Sequence, residues 1–236
     1  MKKLFSHLSL TIFISVLLSP AAVLADAAPA VVYWDSATGK TLRARMSADA
    51  DYWQLAPTFA VQMTQSYCGI ASAITVLNAM PINKPVDPIY APHAYFTQNN
   101  FFTPAVEKII PSQTVLKMGM TRDEMSTALM QHSVKVSSIA GNSLDDTALR
   151  GLLKKALGED GQYVLVNFLR ASLGQVGGGH WSVLAAYDTG SDSVLLLDVA
   201  KYKYAPAWVG ISTLRLAINT IDTTSNKPRG LVLVSK

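Results

Sequence analysis

The stretch Gln62-Met63-Thr64-Gln65-Ser66-Tyr67-Cys68-Gly69-Ile70-Ala71-Ser72-Ala73-Ile74-Thr75-Val76-Leu77-Asn78-Ala79-Met80-Pro81 decides how the chain is read. From Gly69 to Met80 it is apolar and rich in alanine, and Pro81 stops it, which predicts a buried helix. Ser66 is the expected N-cap, so Cys68 falls in the first turn, where free amides and the helix dipole favour a negative sulfur. Such a position lowers a thiol's pKa. Gln62 lies on the segment entering the helix, from which its side-chain amide can be aimed at an oxyanion forming beside Cys68.

Cys68 is the only cysteine of 236 residues, and Gly179-His180-Trp181 and Leu197-Asp198-Val199 follow it far downstream. A lone thiol with histidine and aspartate elsewhere in the chain is a candidate nucleophile. The chemistry needs those three types: a thiolate attacks, an imidazole takes and returns a proton, and a carboxylate fixes the imidazole's orientation. The segment between them reads as a β-hairpin, with His180 to Tyr187 as one strand, Asp188 to Ser193 as the turn and Val194 to Val199 as the return. If paired residue numbers sum to about 380, Asp198 faces Ser182 and lies diagonal to His180 on one sheet face, within side-chain reach. An odd sum would separate them. Asp198 also ends the apolar run Val194-Leu195-Leu196-Leu197, where a charge needs a partner.

The other histidines read as structural. His7 lies in a leader-like segment, His93 in a loop, and His132 near the C-terminal end of a helix opened by the capping box Thr121-Arg122-Asp123-Glu124, where it is expected to complement the dipole. The cysteine and histidines show no zinc-type spacing, so no metal ligands and no tightly bound cofactor are expected.

Met1-Lys2-Lys3 followed by the apolar Leu8 to Leu24 has secretory signal grammar, with cleavage expected after Ala25. That places the protein in the periplasm or otherwise outside the cytoplasm, with no membrane association after cleavage. Removal of residues 1–25 takes away Lys2 and Lys3 and no acid, so the formal charge falls from +4 to +2. A nearly neutral chain without a basic, aromatic-laced cluster gives no support for a nucleic-acid partner. Residues 26–236 suffice for one domain. The oligomeric state is open, a homodimer included.

Ser66-Tyr67-Cys68-Gly69-Ile70-Ala71-Ser72 with Val76-Leu77-Asn78-Ala79, Phe96 to Phe102, Gly179-His180-Trp181-Ser182, and Leu197 to Tyr204 with Trp208-Val209 together resemble the catalytic domain of phytochelatin synthases. Several ordered blocks make the resemblance specific. It implies a papain-like α+β fold, with a helical part carrying the cysteine and an antiparallel sheet carrying histidine and acid. Helices over about 69–80, 122–132 and 144–157, then strands over about 162–169, 180–187, 194–199 and 230–235, agree with an α+β order.

The resemblance further implies Cys68 as nucleophile, His180 as general base and acid, Asp198 as its orienter and Gln62 as oxyanion donor. The substrate it implies is glutathione. Cys68 would take up a γ-glutamylcysteinyl group as glycine leaves, with transfer to water giving γ-glutamylcysteine and transfer to glutathione giving phytochelatin. Asp222 and Arg229 resemble the acid and arginine that hold the γ-glutamyl amino and carboxylate ends; from the residues alone they read as an exposed loop pair.

Two departures stand out. The Cys-rich C-terminal region of the plant enzymes, credited with metal sensing, is not seen, so activation by heavy-metal ions would come as glutathione thiolates. Lys201 stands where plant members commonly carry arginine, which keeps charge and loses the planar fork. Two other readings compete: an exported papain-like peptidase resembling bacteriocin-leader peptidases, and a non-catalytic thiol redox sensor.

Overall fold

A computed structural model describes residues 31–236. The expected leader over residues 1–25 lies outside them. In chain order the elements are β1 (Val31–Tyr33), α1 (Ala37–Ala44), α2 (Tyr52–Leu55), α3 (Cys68–Ala79), α4 (Pro104–Ile109), α5 (Ser112–Met118), α6 (Arg122–Leu129), β2 (Lys135–Ala140), α7 (Asp146–Ala156), β3 (Gln162–Leu169), β4 (Gly179–Asp188), β5 (Ser193–Leu197), β6 (Ala207–Gly210), α8 (Ile211–Ile218), β7 (Ile221–Asp222), β8 (Lys227–Pro228) and β9 (Gly230–Ser235). The result is mixed helix and antiparallel sheet, an α+β architecture.

Seven strands form the main sheet in the order β1-β6-β5-β4-β3-β9-β2, every pair antiparallel. Its central strands alternate between two cores, as a period of two requires. Leu165, Trp181, Val183, Val232 and Val234 face α3 and the other helices of the N-terminal half. Val164, Val166, Leu184, Leu231 and Leu233 face α7 and α8 on the opposite side. Both faces are therefore covered, unlike the one-sided antiparallel sheet that faces water.

The quoted stretch folds as expected from its composition. Every residue of α3 from Cys68 to Asn78 is buried. A helix apolar on all sides belongs inside a protein, and its polar members are individually satisfied. Ser72 and Thr75 donate to the carbonyls of Cys68 and Ala71, four residues back. The Asn78 amide brackets the Phe96 backbone, donating to its carbonyl at 2.8 Å and accepting from its N–H at 2.9 Å.

Local signals elsewhere fare unevenly. The capping box at Thr121 and Glu124 is present, with both reciprocal bonds formed. Ser66, by contrast, is not the N-cap of α3. Tyr67 holds that position without a side-chain cap bond, because the Ser66 hydroxyl donates to the Leu116 carbonyl instead. His132 is not a dipole complement either. It sits in a 3₁₀ turn after α6, buried edge-on against Phe96, and burial lowers its pKa to about 4. The imidazole is thus a neutral core group near neutrality. The helices-then-strands order is also incomplete: β1 precedes every helix, β2 separates α6 from α7, and α8 lies between β6 and β7.

Candidate active site

The hairpin β4–β5 carries the histidine and delivers the aspartate. Val183 pairs with Leu197 and Leu184 with Leu196, the sum of 380 expected from the sequence, and the register then slips by one at a bulge next to Ala185. The slip lies on the turn side, so the end holding His180 keeps the register that brings Asp198 to the same face. Asp198 follows β5 directly. Its Oδ1 accepts from the Ala200 N–H at 2.9 Å, which closes a turn around the carboxylate, and lies 2.8 Å from His180 Nε2.

Cys68 opens α3, and the β4 end packs on that helix, so thiol and imidazole meet where the two halves of the protein join. Burial alone would raise the Cys68 pKa. The hydrogen bond and charge of His180, with the backbone amides of Trp181 and Gly69, outweigh it and bring the thiol below its usual value. His180 moves the opposite way: burial lowers it, but the bonds to Asp198 and Cys68 and their charges dominate and raise it. A lowered thiol beside a raised imidazole favours thiolate–imidazolium over the neutral pair. Asp198 stands at about 2, because bonds from His180 and Arg170 overcome the penalty of burial. The carboxylate is therefore ionised throughout the range in which the histidine titrates.

Arg170 is the residue that sequence reasoning missed. It is buried and forks onto Asp198, Nη1 to Oδ2 at 2.7 Å and Nη2 to Oδ1 at 2.9 Å. Nη1 also donates to Gln175 Oε1 at 2.7 Å, and the guanidinium lies 5.0 Å from the centroid of the Tyr204 ring. A signal existed. Arg170 follows the apolar strand β3 as Asp198 follows the apolar strand β5, and a charge at such a position needs a partner.

Gln62 is buried beside the pair. Its backbone N–H donates to the Val199 carbonyl at 3.0 Å, and its Nε2 donates to the Thr64 carbonyl and the Tyr202 hydroxyl, both at 2.9 Å. Its Oε1 is buried and unpartnered. The segment is held from the other side by Gln98, whose amide donates to the Val61 carbonyl and accepts from the Met63 N–H. Two clefts open beside this centre and share Gln65 and Gly179. One of about 300 Å³ reaches Gln62, His180, Tyr202 and Lys203, and the other of about 400 Å³ reaches Cys68, Ser66, Leu116 and Met118.

Asp222 and Arg229 are buried, which corrects the reading of an exposed loop pair. Arg229 Nη2 lies 3.7 Å from Asp222 Oδ1, too long for a hydrogen bond. Its Nη1 donates to Asn167 Oδ1 at 2.8 Å, and its Nε has no partner. The guanidinium rests on Gly179, where a Cβ would come within 2.2 Å of Nη1; only glycine permits this approach, and His180 is the next residue. Burial lowers the Arg229 pKa, against the opposing charges of Asp222 and Cys68. The structure thus brings Cys68, His180, Asp198, Gln62, Asp222 and Arg229 to one region. His93 stays apart in an exposed loop. Lys201 is also apart from the reacting groups; its Nζ donates to the Phe59 carbonyl at 2.7 Å and covers the Phe59 ring. Among the described residues, no group of three or more His, Cys, Asp or Glu is placed to hold a metal ion.

Residues 25–231 match the family model described as phytochelatin synthase. The chain is 28% identical over 185 residues to glutathione gamma-glutamylcysteinyltransferase 3 of Lotus japonicus, covering 78% of this chain and 37% of that protein. It is 27% identical over 213 residues to glutathione gamma-glutamylcysteinyltransferase 1 of Arabidopsis thaliana, covering 88% and 42%. The glutathione gamma-glutamylcysteinyltransferase of Schizosaccharomyces pombe is 23% identical over 205 residues, with 85% and 48% covered. The chain therefore spans less than half the length of these relatives. With the match running over nearly all of its residues, the chain belongs to the phytochelatin synthase family.

Proposed function

We propose that this protein is a papain-like acyltransferase that cleaves glutathione through a γ-glutamylcysteinyl thioester on Cys68. The observation that carries the reading is the buried line Cys68, His180, Asp198, with the thiol's pKa lowered, the imidazole's raised and the carboxylate ionised. The names of the relatives, glutathione gamma-glutamylcysteinyltransferases, supply the substrate. In the first half-reaction the Cys68 thiolate attacks the carbonyl joining cysteine to glycine, and a C–S bond forms. The tetrahedral oxyanion collapses, the C–N bond breaks, and the His180 imidazolium gives its proton to the departing glycine amine. In the second, His180 takes a proton from water or from an acceptor glutathione, which attacks the thioester and frees Cys68. Water yields γ-glutamylcysteine, and glutathione yields a lengthened peptide.

Asp198 orients the imidazole and stabilises its positive charge. The main-chain N–H of Cys68 and the amide of Gln62 serve the oxyanion. Arg229 takes the glutamyl α-carboxylate and Asp222 the free amino group; an α-linked peptide has its N-terminal α-carboxyl tied up in the peptide bond and does not offer the two together on one residue, so the pair also accounts for a γ-linked substrate. A heavy-metal ion would enter as part of that substrate, bound by glutathione thiolates.

Incubation of purified protein with glutathione should release glycine, and rapid acid quench should trap a γ-glutamylcysteinyl adduct on Cys68 by mass. Cys68→Ala should show neither. Glycine release by that variant at anything near the parent rate would overturn the assignment.

A further inference from the structure

Two tyrosines flank Lys203 in the turn after Asp198, and they are held differently. Tyr204 is built into the scaffold: its ring stacks on Tyr33 at 6.3 Å and 11°, and its hydroxyl accepts from the Val176 N–H at 2.7 Å. Tyr202 is 63% exposed. Its side-chain hydrogen bond, among the described residues, is the one at 2.9 Å in which its hydroxyl accepts from buried Gln62.

That bond matters because of a count. A primary amide nitrogen carries two hydrogens. In Gln62 one goes to the Thr64 carbonyl and the other to the Tyr202 hydroxyl, so neither is left for an oxyanion. Gln62 Oε1, buried without a partner, cannot donate. One of the two acceptors must withdraw before the amide can serve. Thr64 O belongs to a main chain only two residues away, on a segment pinned by Gln98 on one side and Val199 on the other. Tyr202 is an exposed side chain whose rotation breaks no packing of comparable extent.

We propose that Tyr202 is a positioning residue that acts through Gln62, its phenol holding the second amide hydrogen in the free protein and yielding it to the oxyanion as the tetrahedral intermediate forms. The inference rests on the reading of Gln62 as the oxyanion donor of an acyl transfer. Its consequence runs against the usual expectation for a residue beside a reaction centre. Removal of the hydroxyl should speed acylation, because the free state loses a bond that the transition state does not retain.

The test uses two reagents on the whole chain. p-Nitrophenyl acetate acylates Cys68 by thiolate attack, with a C–S bond formed, the ester C–O bond broken and p-nitrophenolate released, and it passes through an oxyanion. Iodoacetamide alkylates the same sulfur by displacing iodide and forms no oxyanion. Tyr202→Phe should acylate about two- to tenfold faster, the worth of one neutral hydrogen bond, and alkylate at the parent rate, which also shows that the Cys68–His180 pair is intact. Gln62→Ala should acylate more slowly, and adding Tyr202→Phe to it should change nothing further. Acylation that is unchanged or slower in Tyr202→Phe overturns the proposal, as does the same acceleration in the absence of Gln62. The ester has no γ-glutamyl group, so failure to release glycine from glutathione would count against the proposed substrate and leave this outcome readable.

Discussion

Among the described residues, two buried arginine–aspartate pairs differ in how completely they are satisfied. Arg170 and Asp198 form a closed fork at 2.7 and 2.9 Å, with further partners on both sides. Arg229 and Asp222 stand 3.7 Å apart, with one guanidinium nitrogen unpartnered. A closed fork ties up both carboxylate oxygens and fixes what they touch, which here is the orientation of His180. In the open pair Asp222 Oδ1 accepts only from the Thr224 N–H at 3.1 Å while Arg229 Nε is buried and unpaired, and a ligand with complementary charges would complete it. Burial alone therefore does not tell a structural pair from a binding pair; the inventory of unmet bonds does.

The largest expected effect comes from breaking the closed pair. Arg170→Met leaves Asp198 buried with only His180 and a main-chain amide, a loss of about 3–5 kcal/mol. Thermal unfolding should shift down on the order of 10 °C. Arg229→Met should shift it far less, and equal losses in the two variants would erase the distinction drawn between them. The closed pair should also leave a mark on acid stability. Asp198, held at about 2 against an ordinary 3.8, contributes stability that is present above 3.8 and lost as pH falls through 2. In Arg170→Met the folded-state value moves back toward 3.8, so this acid-linked loss should shrink, and acid titration of the unfolding free energy followed by fluorescence checks it.

The open pair should dominate turnover instead. Arg229→Met should lower kcat/KM for glutathione about ten- to a hundredfold, the worth of a charge-assisted contact of roughly 1.5–3 kcal/mol. Alkylation of Cys68 by iodoacetamide should stay near the parent rate. Arg229→Lys should recover only part of the loss, since an ammonium cannot reproduce the fork. Unchanged glutathione turnover would return the pair to a purely structural role.

The smallest effect sharpens the division of labour within the open pair. Asp222→Asn should weaken use of glutathione several-fold, about 1 kcal/mol, and make no difference to an analogue whose glutamyl amino group is acetylated. Steady-state kinetics with the two substrates gives the answer directly. A loss of the same size on both would show that Asp222 acts through Arg229 and not on the amino group.

Legibility in the sequence followed locality. α3, the capping box of α6 and strands β3 and β9 were readable because periodicity, apolar runs and breakers lie within a few residues. The hairpin register was readable at the end that matters, since Asp198 can reach His180 only with an even sum. The edge strands β1 and β2 were not. β2, Lys135–Ala140, lies at the sheet edge with mostly exposed or half-exposed residues and two serines in the middle, so the alternation that marks a half-buried strand is weak. Ser66 and His132 show the same limit from the other side: each has a sound local expectation, and each is overruled by a neighbour from a distant part of the chain.

Residue types and their order by themselves determined that a thiol sits at the start of a buried helix, that a histidine and an aspartate end neighbouring strands, and which family the chain resembles. Those properties are short-range or inherited whole in ordered blocks. The tertiary structure alone decided that Arg170 closes on Asp198, that Gln62 has already committed both amide hydrogens, and that Asp222 and Arg229 are buried beside Gly179. Each of these depends on angstrom-scale distances between segments far apart in sequence. Hydrogen-bond satisfaction changes over less than an ångström, a precision that no spacing along the chain encodes.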